Sequence, residues 1–372
     1  MTSAATPDVL AHLRAGRRRV LVLRPDNIGD VVMTGPALRA IKATLPDAHL
    51  TLLASPGGAQ AAPLLPWIDE TVTERVVWQD LGHLPFDPAR EAALAARLAA
   101  GEYDAAFILT SFSQSPHAPA LLCALAGIQP RLGESKEDGF GALTHTVAPA
   151  GDDLHQVERN LRLVEAAGFT AADRRLAVAV PPEARQGTAM LLAAHGIEPG
   201  RGYIVLAPWA SCPARTFFPD RFAAAARLLA AGAGLPVVLA GGPRDRERSL
   251  PLMATLGEWG VDLVGTTTVP ELAALIDGAR LVFANDSLPM HLADATGTPS
   301  VILYSGTEYE SQWAPRHSPS RLLRRPTPCS PCYGFTCPFD LACLDFSAEE
   351  VAAAGWLMLQ ECGGNGFTSP CG

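Results

Sequence analysis

The chain has 372 residues, of which 48% are hydrophobic and 18% charged, and its formal net charge is −9. This length exceeds what one hydrophobic core usually supports, so we expect two domains. The negative charge and the absence of a long basic run argue against a general nucleic-acid-binding surface.

The first residues lack the apolar core of a signal peptide, and no uninterrupted apolar run reaches about 18 residues. We therefore expect a cytoplasmic protein without a spanning helix. The basic cluster Arg14, Arg17, Arg18 and Arg19 precedes the first predicted strand. It is typical of a solvated face, and it could also contact an anionic membrane surface.

The first half of the chain alternates between apolar runs and segments with helical spacing. Strands are predicted over residues 20–23, 50–54 and 105–109, and helices over residues 36–45, 58–65, 88–100, 118–126 and 154–167. Asp87 and Pro88 suit the cap and first position of the third helix. This alternation predicts a parallel sheet with helices on both faces.

A Pro-rich interruption at residues 181–183 reads as a linker, and the same alternation then resumes. Strands are predicted over residues 203–207, 236–240, 261–264, 281–284 and 300–304, and helices over residues 219–231, 245–259, 269–276 and 290–296. We assign domains to residues 1–180 and 181–346. A C-terminal helix over 347–360 and a flexible tail over 361–372 follow.

The turn after the first strand, residues 24–37, leads directly into a helix and contains Asp30. In open α/β sheets ligands bind at the carboxyl ends of the strands, so this carboxylate is a candidate for catalysis. The alternative is that Asp30 only caps the helix, because Asp is a favoured capping residue.

A second such turn follows the predicted strand 281–284 and contains Asp286, Ser287 and His291. Backbone N–H groups at a helix start attract anions, so Ser287 and His291 could face a phosphate. The alternative is a capping serine and a core histidine.

Three further turns carry groups that suit an anion. Thr266 lies in a hydroxyl-rich turn, Gly242 lies in a Gly-Gly-Pro turn, and Arg215 lies in the turn 207–216. Arg215 could offset the charge of a leaving diphosphate, or it could be a solvated turn residue. Together these turns indicate a nucleotide or sugar-nucleotide site, although neither the P-loop nor the dinucleotide glycine pattern is present.

Four cysteines lie close together in a Pro-rich segment: Cys329, Cys332, Cys337 and Cys343. In a cytoplasmic chain this spacing favours metal ligands over disulfides. Zinc fits a thiolate set by softness, and iron is an option. Redox cysteines or reduced packing cysteines are the alternative.

Residues 23–36, 285–293 and 265–276, with the turn around Arg215, resemble the family 9 glycosyltransferases, the bacterial ADP-heptose:lipopolysaccharide heptosyltransferases and their relatives. The resemblance runs from about Arg19 to about Cys343. It implies a GT-B fold, with two Rossmann-like doubly wound parallel-sheet domains facing a cleft. It further implies acceptor binding by the first domain, donor binding by the second, and inverting transfer without an obligatory metal.

The resemblance also implies a role for each matched residue, with Asp30 as the general base for the acceptor hydroxyl. The implied donor-binding residues are Arg215, Gly242, Thr266, Asp286, Ser287 and His291. The implied acceptor-side residues are Asn27, Gly29, Ser111, Gln114 and Arg159.

The expected reaction moves a heptose or a similar sugar from ADP-heptose to a lipopolysaccharide core or related glycan. The acceptor is then a glycolipid or an oligosaccharide, and contact with the inner membrane face is compatible with it. Two alternatives stay open: a transferase that glycosylates protein side chains, and a non-catalytic nucleotide-sugar-binding protein of the same fold.

Overall fold

The computed structural model describes residues 8–80, 84–137 and 141–363. The chain divides into two compact units, residues 1–176 and 177–372. Each unit contains one six-stranded parallel sheet with helices packed around it. The predicted parallel sheet with helices packed around it is therefore present in both halves.

The sheet of the first unit has the strand order β3-β2-β1-β4-β5-β6. Its strands are β1 (Arg19–Arg24), β2 (His49–Ala54), β3 (Glu70–Thr73), β4 (Ala105–Ile108), β5 (Arg131–Glu134) and β6 (His145–Val147). The strands β1, β2 and β4 are almost wholly buried because helices cover both faces. Their continuous apolar runs made them predictable.

The helices of the first unit follow the strands in the βα order of a doubly wound sheet. They are α1 (Val9–Ala15), α2 (Ile28–Val32), α3 (Gly35–Thr44), α4 (Pro88–Ala100), α5 (His117–Leu125) and α6 (Gln156–Ala166), with a 3-10 helix at Gly58–Leu64. The Asp87 carboxylate accepts a hydrogen bond of 2.9 Å from the Ala89 N–H, so the predicted cap of α4 is confirmed.

The sheet of the second unit has the order β12-β11-β10-β7-β8-β9. Its strands are β7 (Ile204–Ala207), β8 (Val237–Leu239), β9 (Gly260–Asp262), β10 (Leu281–Asn285), β11 (Ser300–Leu303) and β12 (Ser320–Leu323). In both units the chain order of the strands across the sheet is the same, 3-2-1-4-5-6 when counted within the unit. The direction of progression reverses between the first and fourth strands, which is the topological switch point where such sheets bind ligands.

The helices of the second unit surround a core that includes Phe222, Leu229 and Phe283. They are α7 (Pro182–Ala194), α8 (Pro219–Ala233), α9 (Arg246–Leu256), α10 (Val269–Asp277), α11 (Leu288–Thr296), α12 (Glu310–Trp313) and α13 (Ala348–Gly363). Short 3-10 helices lie at Pro213–Arg215, Pro243–Asp245, Gly257–Trp259 and Ala342–Leu344.

Three local predictions were wrong. The expected linker after residue 180 is the helix α7, because Pro182 takes the first helical position, where its missing N–H costs nothing. The strand expected over 261–264 ends at Asp262, whose carboxylate accepts the Val264 N–H and bends the chain. The last helix reaches Gly363, so the predicted tail does not begin at 361; residues 364–372 lie outside the described residues.

The basic cluster near the start of the chain is largely neutralised. Arg17 pairs with Glu102, and Arg18 pairs with Asp47. Arg19 lies 3.7 Å from Glu70 and donates to the Gly101 carbonyl. These pairs weaken the case for a free basic surface that would attract an anionic membrane. Within the described ranges, no helix combines the length and apolarity needed to cross a bilayer.

Candidate active site

The switch point of the first unit lies where β1 and β4 end side by side. The chain leaves β1 at Arg24 and enters the short helix α2, which carries Asp30 in its first turn. Asn27 holds the capping position of α2, and the Asp30 carboxylate instead accepts a hydrogen bond of 3.0 Å from Arg24 Nη2. The interpretation of Asp30 as a mere helix cap is therefore wrong.

Asp30 retains a path to solvent, because its side chain is 19% exposed while the Arg24 side chain is fully buried. A partly exposed carboxylate beside a fixed cation is held in one orientation, which suits a group that must accept a proton. The predicted neighbours Asn27 and Gly29 lie in the same turn, Asn27 exposed and Gly29 buried.

Asp26 is the residue of this site that sequence reasoning missed. Its carboxylate lies 2.9 Å from Arg24 Nε and accepts hydrogen bonds from the side-chain amides of Gln79 and Gln114, at 2.6 and 2.7 Å. Burial raises the pKa of Asp26; Arg24 opposes this shift and Asp30 adds to it. Its position in the sequence could have identified it, because Asp26 follows the same buried strand as Asp30.

Two of the predicted acceptor-side residues meet this group. The Gln114 side chain donates to Asp26 and accepts from the Ser111 N–H at 2.8 Å. Both the NH2 group and the oxygen of the Gln114 amide are thus hydrogen-bonded, and these bonds order the loop that follows β4. The structure therefore brings Ser111, Gln114 and Asp30 to one end of the sheet.

Arg159 lies elsewhere. It is buried on α6, pairs with Glu134 and donates to the Gly151 carbonyl at 2.7 Å. A guanidinium engaged in this way fits a structural role better than contact with an acceptor. Its acceptor-side role stays a prediction.

The switch point of the second unit lies between β7 and β10. Asn285, fully buried at the end of β10, accepts the Phe217 N–H at 3.0 Å and donates to the Pro208 carbonyl at 2.7 Å. This one amide joins the loop after β10 to the loop after β7. Arg215 lies in the second of these loops and Asp286 in the first.

Arg215 is held by residues that follow β11. Its Nη2 lies 2.7 Å from Glu308 Oε1, and its Nε donates to Thr307 Oγ1 at 3.3 Å. Burial alone would lower the pKa of Arg215, but the carboxylates of Asp286 and Glu308 outweigh burial and raise it. Arg215 is therefore a fixed, permanently charged cation whose side chain is 25% exposed.

Glu308 and Thr307 were not predicted as site residues, because neither lies in a turn between a strand and a long helix. Their position after β11, the neighbour of β10 in the sheet, is the signal that could have identified them. The buried Tyr304 belongs to the same group, and burial together with Asp286 and Glu308 raises its pKa.

The remaining predicted donor residues lie on the same edge of the sheet or beside it. Ser287 holds the capping position of α11 without a side-chain capping bond, and His291 is buried in the first turns of that helix. The Thr266 hydroxyl donates to the Leu263 carbonyl at 2.8 Å. The Gly242 N–H donates to the Asp245 carboxylate at 3.0 Å, so this N–H already has a hydrogen-bond partner within the protein.

The cysteine segment adjoins the loop that carries Thr307. The Cys343 thiol accepts the Gly306 N–H at 3.2 Å, and the Cys332 N–H donates to the Gly306 carbonyl at 3.1 Å. Over residues 8–80, 84–137 and 141–363, no three side chains of Cys, His, Asp or Glu are arranged to hold a metal ion. The predicted zinc or iron site at Cys329, Cys332, Cys337 and Cys343 is not preformed and stays a prediction.

Comparison with known proteins identifies one family. The profile of glycosyltransferase family 9 (heptosyltransferase) matches residues 91–342. Lipopolysaccharide heptosyltransferase 2 of Salmonella typhimurium is 27% identical over 296 residues, which cover 77% of this chain and 82% of the relative.

Solved structures agree on the fold. A family 9 glycosyltransferase from Veillonella parvula superposes with a TM-score of 0.74 at 21% identity, covering 92% of this chain and 97% of the other. The ADP-heptose lipopolysaccharide heptosyltransferase II of Escherichia coli gives 0.73 at 22% identity, with coverage of 92% and 99%. The GT-B architecture of two Rossmann-like units is thereby confirmed.

Proposed function

The chain belongs to glycosyltransferase family 9, the heptosyltransferase family, and we propose that it transfers a heptose from ADP-heptose to a lipopolysaccharide core or a related glycan. The donor is taken from the name of the Escherichia coli neighbour, and the acceptor class from the curated relatives. The observation that carries the proposal is a single partly exposed carboxylate, Asp30, fixed by Arg24 at the switch point of the first unit.

In the proposed reaction an acceptor hydroxyl attacks the anomeric carbon of the donor from the side opposite the diphosphate. The new carbon–oxygen bond forms as the bond from that carbon to the phosphate oxygen breaks, so the configuration inverts. The hydroxyl proton passes to Asp30, which acts as the general base. The electron pair of the broken bond leaves with ADP.

The leaving diphosphate gains negative charge, and the second unit offers two groups that stabilise it. Arg215 provides a fixed positive charge, and the N-terminus of α11 provides backbone N–H groups and the positive end of a helix dipole. Glu308 already occupies Arg215, so the donor must share or displace that contact.

We further propose that transfer requires no bound metal ion, because Arg215 and α11 can supply the positive charge. Dialysis of the full chain against EDTA is expected to leave the transfer rate within about two-fold of the untreated rate, and added Mg²⁺ should not raise it. A loss that Mg²⁺ or Zn²⁺ restores would contradict this part of the proposal.

The proposal is tested by incubating the protein with ADP-heptose and core oligosaccharides of increasing length. Mass spectrometry should show the addition of one heptose residue, and NMR should show a product of inverted anomeric configuration. Product on added protein instead of oligosaccharide would indicate a protein-modifying transferase. Tight donor binding without any product would indicate a non-catalytic binding protein.

A further inference from the structure

Arg24 lies between two carboxylates in the first unit. Its Nε lies 2.9 Å from Asp26 Oδ2, and its Nη2 donates to Asp30 Oδ1 at 3.0 Å. The exposed fractions of the three side chains are 0% for Arg24, 6% for Asp26 and 19% for Asp30. The cation and one carboxylate are therefore shielded from water, and only the second carboxylate can meet a substrate.

The charges of this triad do not balance. One guanidinium faces two carboxylates, so the ionised triad carries one net negative charge in a poorly hydrated place. Uptake of one proton makes the triad neutral. Since burial penalises net charge, the triad as a whole favours the uptake of a proton.

We propose that Asp26 is a positioning residue that keeps Asp30 a strong base, by drawing part of the Arg24 charge away from it. Arg24 alone would make Asp30 easy to orient but a poor proton acceptor. With Asp26 on the other side of the guanidinium, Asp30 stays oriented by Arg24 and still gains from protonation. This inference rests on the proposed role of Asp30 as the general base.

Hydrogen bonds from two neighbouring segments fix the position of the Asp26 side chain. Gln79 comes from the segment after β3 and Gln114 from the loop after β4, and both donate to the same oxygen, Asp26 Oδ1. Because Asp26 Oδ1 is occupied by these two amides, Oδ2 is the oxygen that faces Arg24. The same three side chains line a cavity of about 20 Å³, large enough for one water molecule.

The charged groups that bear on Asp30 are few in this part of the structure. Arg24 reaches it from β1 and Asp26 from the loop before α2. The 3-10 helix Gly58–Leu64, which packs against α2, has no titratable side chain, and α2 has none besides Asp30. Arg24 and Asp26 are therefore the charged side chains that these contacts place around Asp30.

The test compares Asp26→Asn with Arg24→Met in the full chain, with kcat/KM for the acceptor measured against pH at saturating donor. In Asp26→Asn the charge of Arg24 acts on Asp30 without the opposing charge of Asp26. The acid limb of the profile should therefore shift to lower pH by about 1 unit. The plateau should fall by up to about ten-fold, because a weaker base is a poorer catalyst. Arg24→Met removes the cation, so the acid limb should shift to higher pH.

Asp69→Asn is the matched control. This aspartate of the same unit pairs with Lys42 at 2.7 Å, away from the switch point, and its loss should move neither limb nor plateau. If Asp26→Asn or Arg24→Met fails to fold, as judged by thermal melting, Asp26→Ser removes the same charge and should move the limb in the same direction as Asp26→Asn.

Two outcomes separate this inference from the proposed function. If Asp30→Asn abolishes transfer but Asp26→Asn lowers the rate without moving the acid limb, Asp26 is only structural and the inference is overturned. If Asp30→Asn transfers sugar at the normal rate, the proposed base itself is wrong. Opposite shifts in the Asp26 and Arg24 variants, with the donor KM unchanged, would support the inference.

Discussion

At each switch point a charged side chain is held by a partner of opposite charge. Asp30 is held by Arg24, and Arg215 by Glu308. The sequence indicated Asp30 and Arg215 because each lies in a turn at the end of a predicted buried strand. Asp26 and Glu308 were missed although each follows a buried strand. Their contacts to Gln79, Gln114 and Arg215 join residues far apart along the chain, and a local pattern does not show such contacts.

Arg215 allows a direct test of donor binding. Arg215→Met should weaken ADP-heptose binding about ten-fold or more, because a charge-assisted contact to the diphosphate is lost. Arg215→Lys keeps the charge but loses the planar, forked guanidinium group. Its affinity for ADP-heptose should lie between that of the wild type and that of Arg215→Met. Calorimetric titration with ADP-heptose measures both.

Arg221→Met serves as its control, since this arginine of the same unit pairs with Asp345 near the surface. Its donor affinity should equal that of the wild type. Equal affinities for wild type, Arg215→Met and Arg221→Met would remove Arg215 from the donor site.

At the scale of the element, continuous apolar runs identify the buried central strands, whereas the outer strands carry weaker signals. The strands β1, β4, β7 and β10 were all predicted because helices cover both their faces. The strands β3, β5, β6 and β12 were missed. In β3, β6 and β12 polar and apolar residues mix and several positions are partly exposed. The strand β5 is buried, but Arg131 and Glu134 at its two ends leave no continuous apolar run.

The missed helix α7 has a different cause. Two consecutive prolines normally mark a break, and here the second one begins the helix. Sequence alone does not separate these two uses of proline. Packing of α7 against α10 decides the outcome, and that packing depends on the whole unit.

The helix α13 is part of the core of the second unit, where its Val351 and Met358 side chains are buried. A Cβ atom at Gly355 would lie 2.6 Å from Leu229 and 2.7 Å from Phe283, so Gly355→Val forces α13 away from α8 and β10. We expect a loss of about 1–3 kcal/mol in the free energy of unfolding. Urea denaturation followed by circular dichroism measures it.

Ala353→Val is the matched variant on the exposed face of the same helix. It should cost no more than about 0.7 kcal/mol, the usual difference in helix propensity. If Gly355→Val and Ala353→Val unfold at the same urea concentration, the close packing of α13 is not a feature of the protein in solution.

At the scale of the whole molecule, the same strand order appears twice, and each copy places a different kind of group at its switch point. The first unit presents a carboxylate and the second a guanidinium together with the start of α11. A glycosyl transfer needs both kinds, a base for the attacking hydroxyl and positive charge for the leaving diphosphate. This division of chemistry between the units is what supports the proposed mechanism.

The repeated architecture could be predicted from the sequence, because strand and helix signals alternate in both halves. The motif resemblance predicted the family, and the family match confirms it. The donor sugar and the acceptor hydroxyl could not be read from these motifs, because a few contacts to substrate determine them. Those contacts depend on side-chain positions that no local pattern encodes.

The most direct measurement is the transfer rate of Asp30→Asn beside its affinity for ADP-heptose. The variant keeps the size of the side chain and removes its negative charge and its ability to take a proton. We predict a fall in kcat of about 10²–10⁴-fold with donor affinity, measured by calorimetry, within about two-fold of the wild type. Transfer near the wild-type rate would contradict the role of Asp30 as the general base.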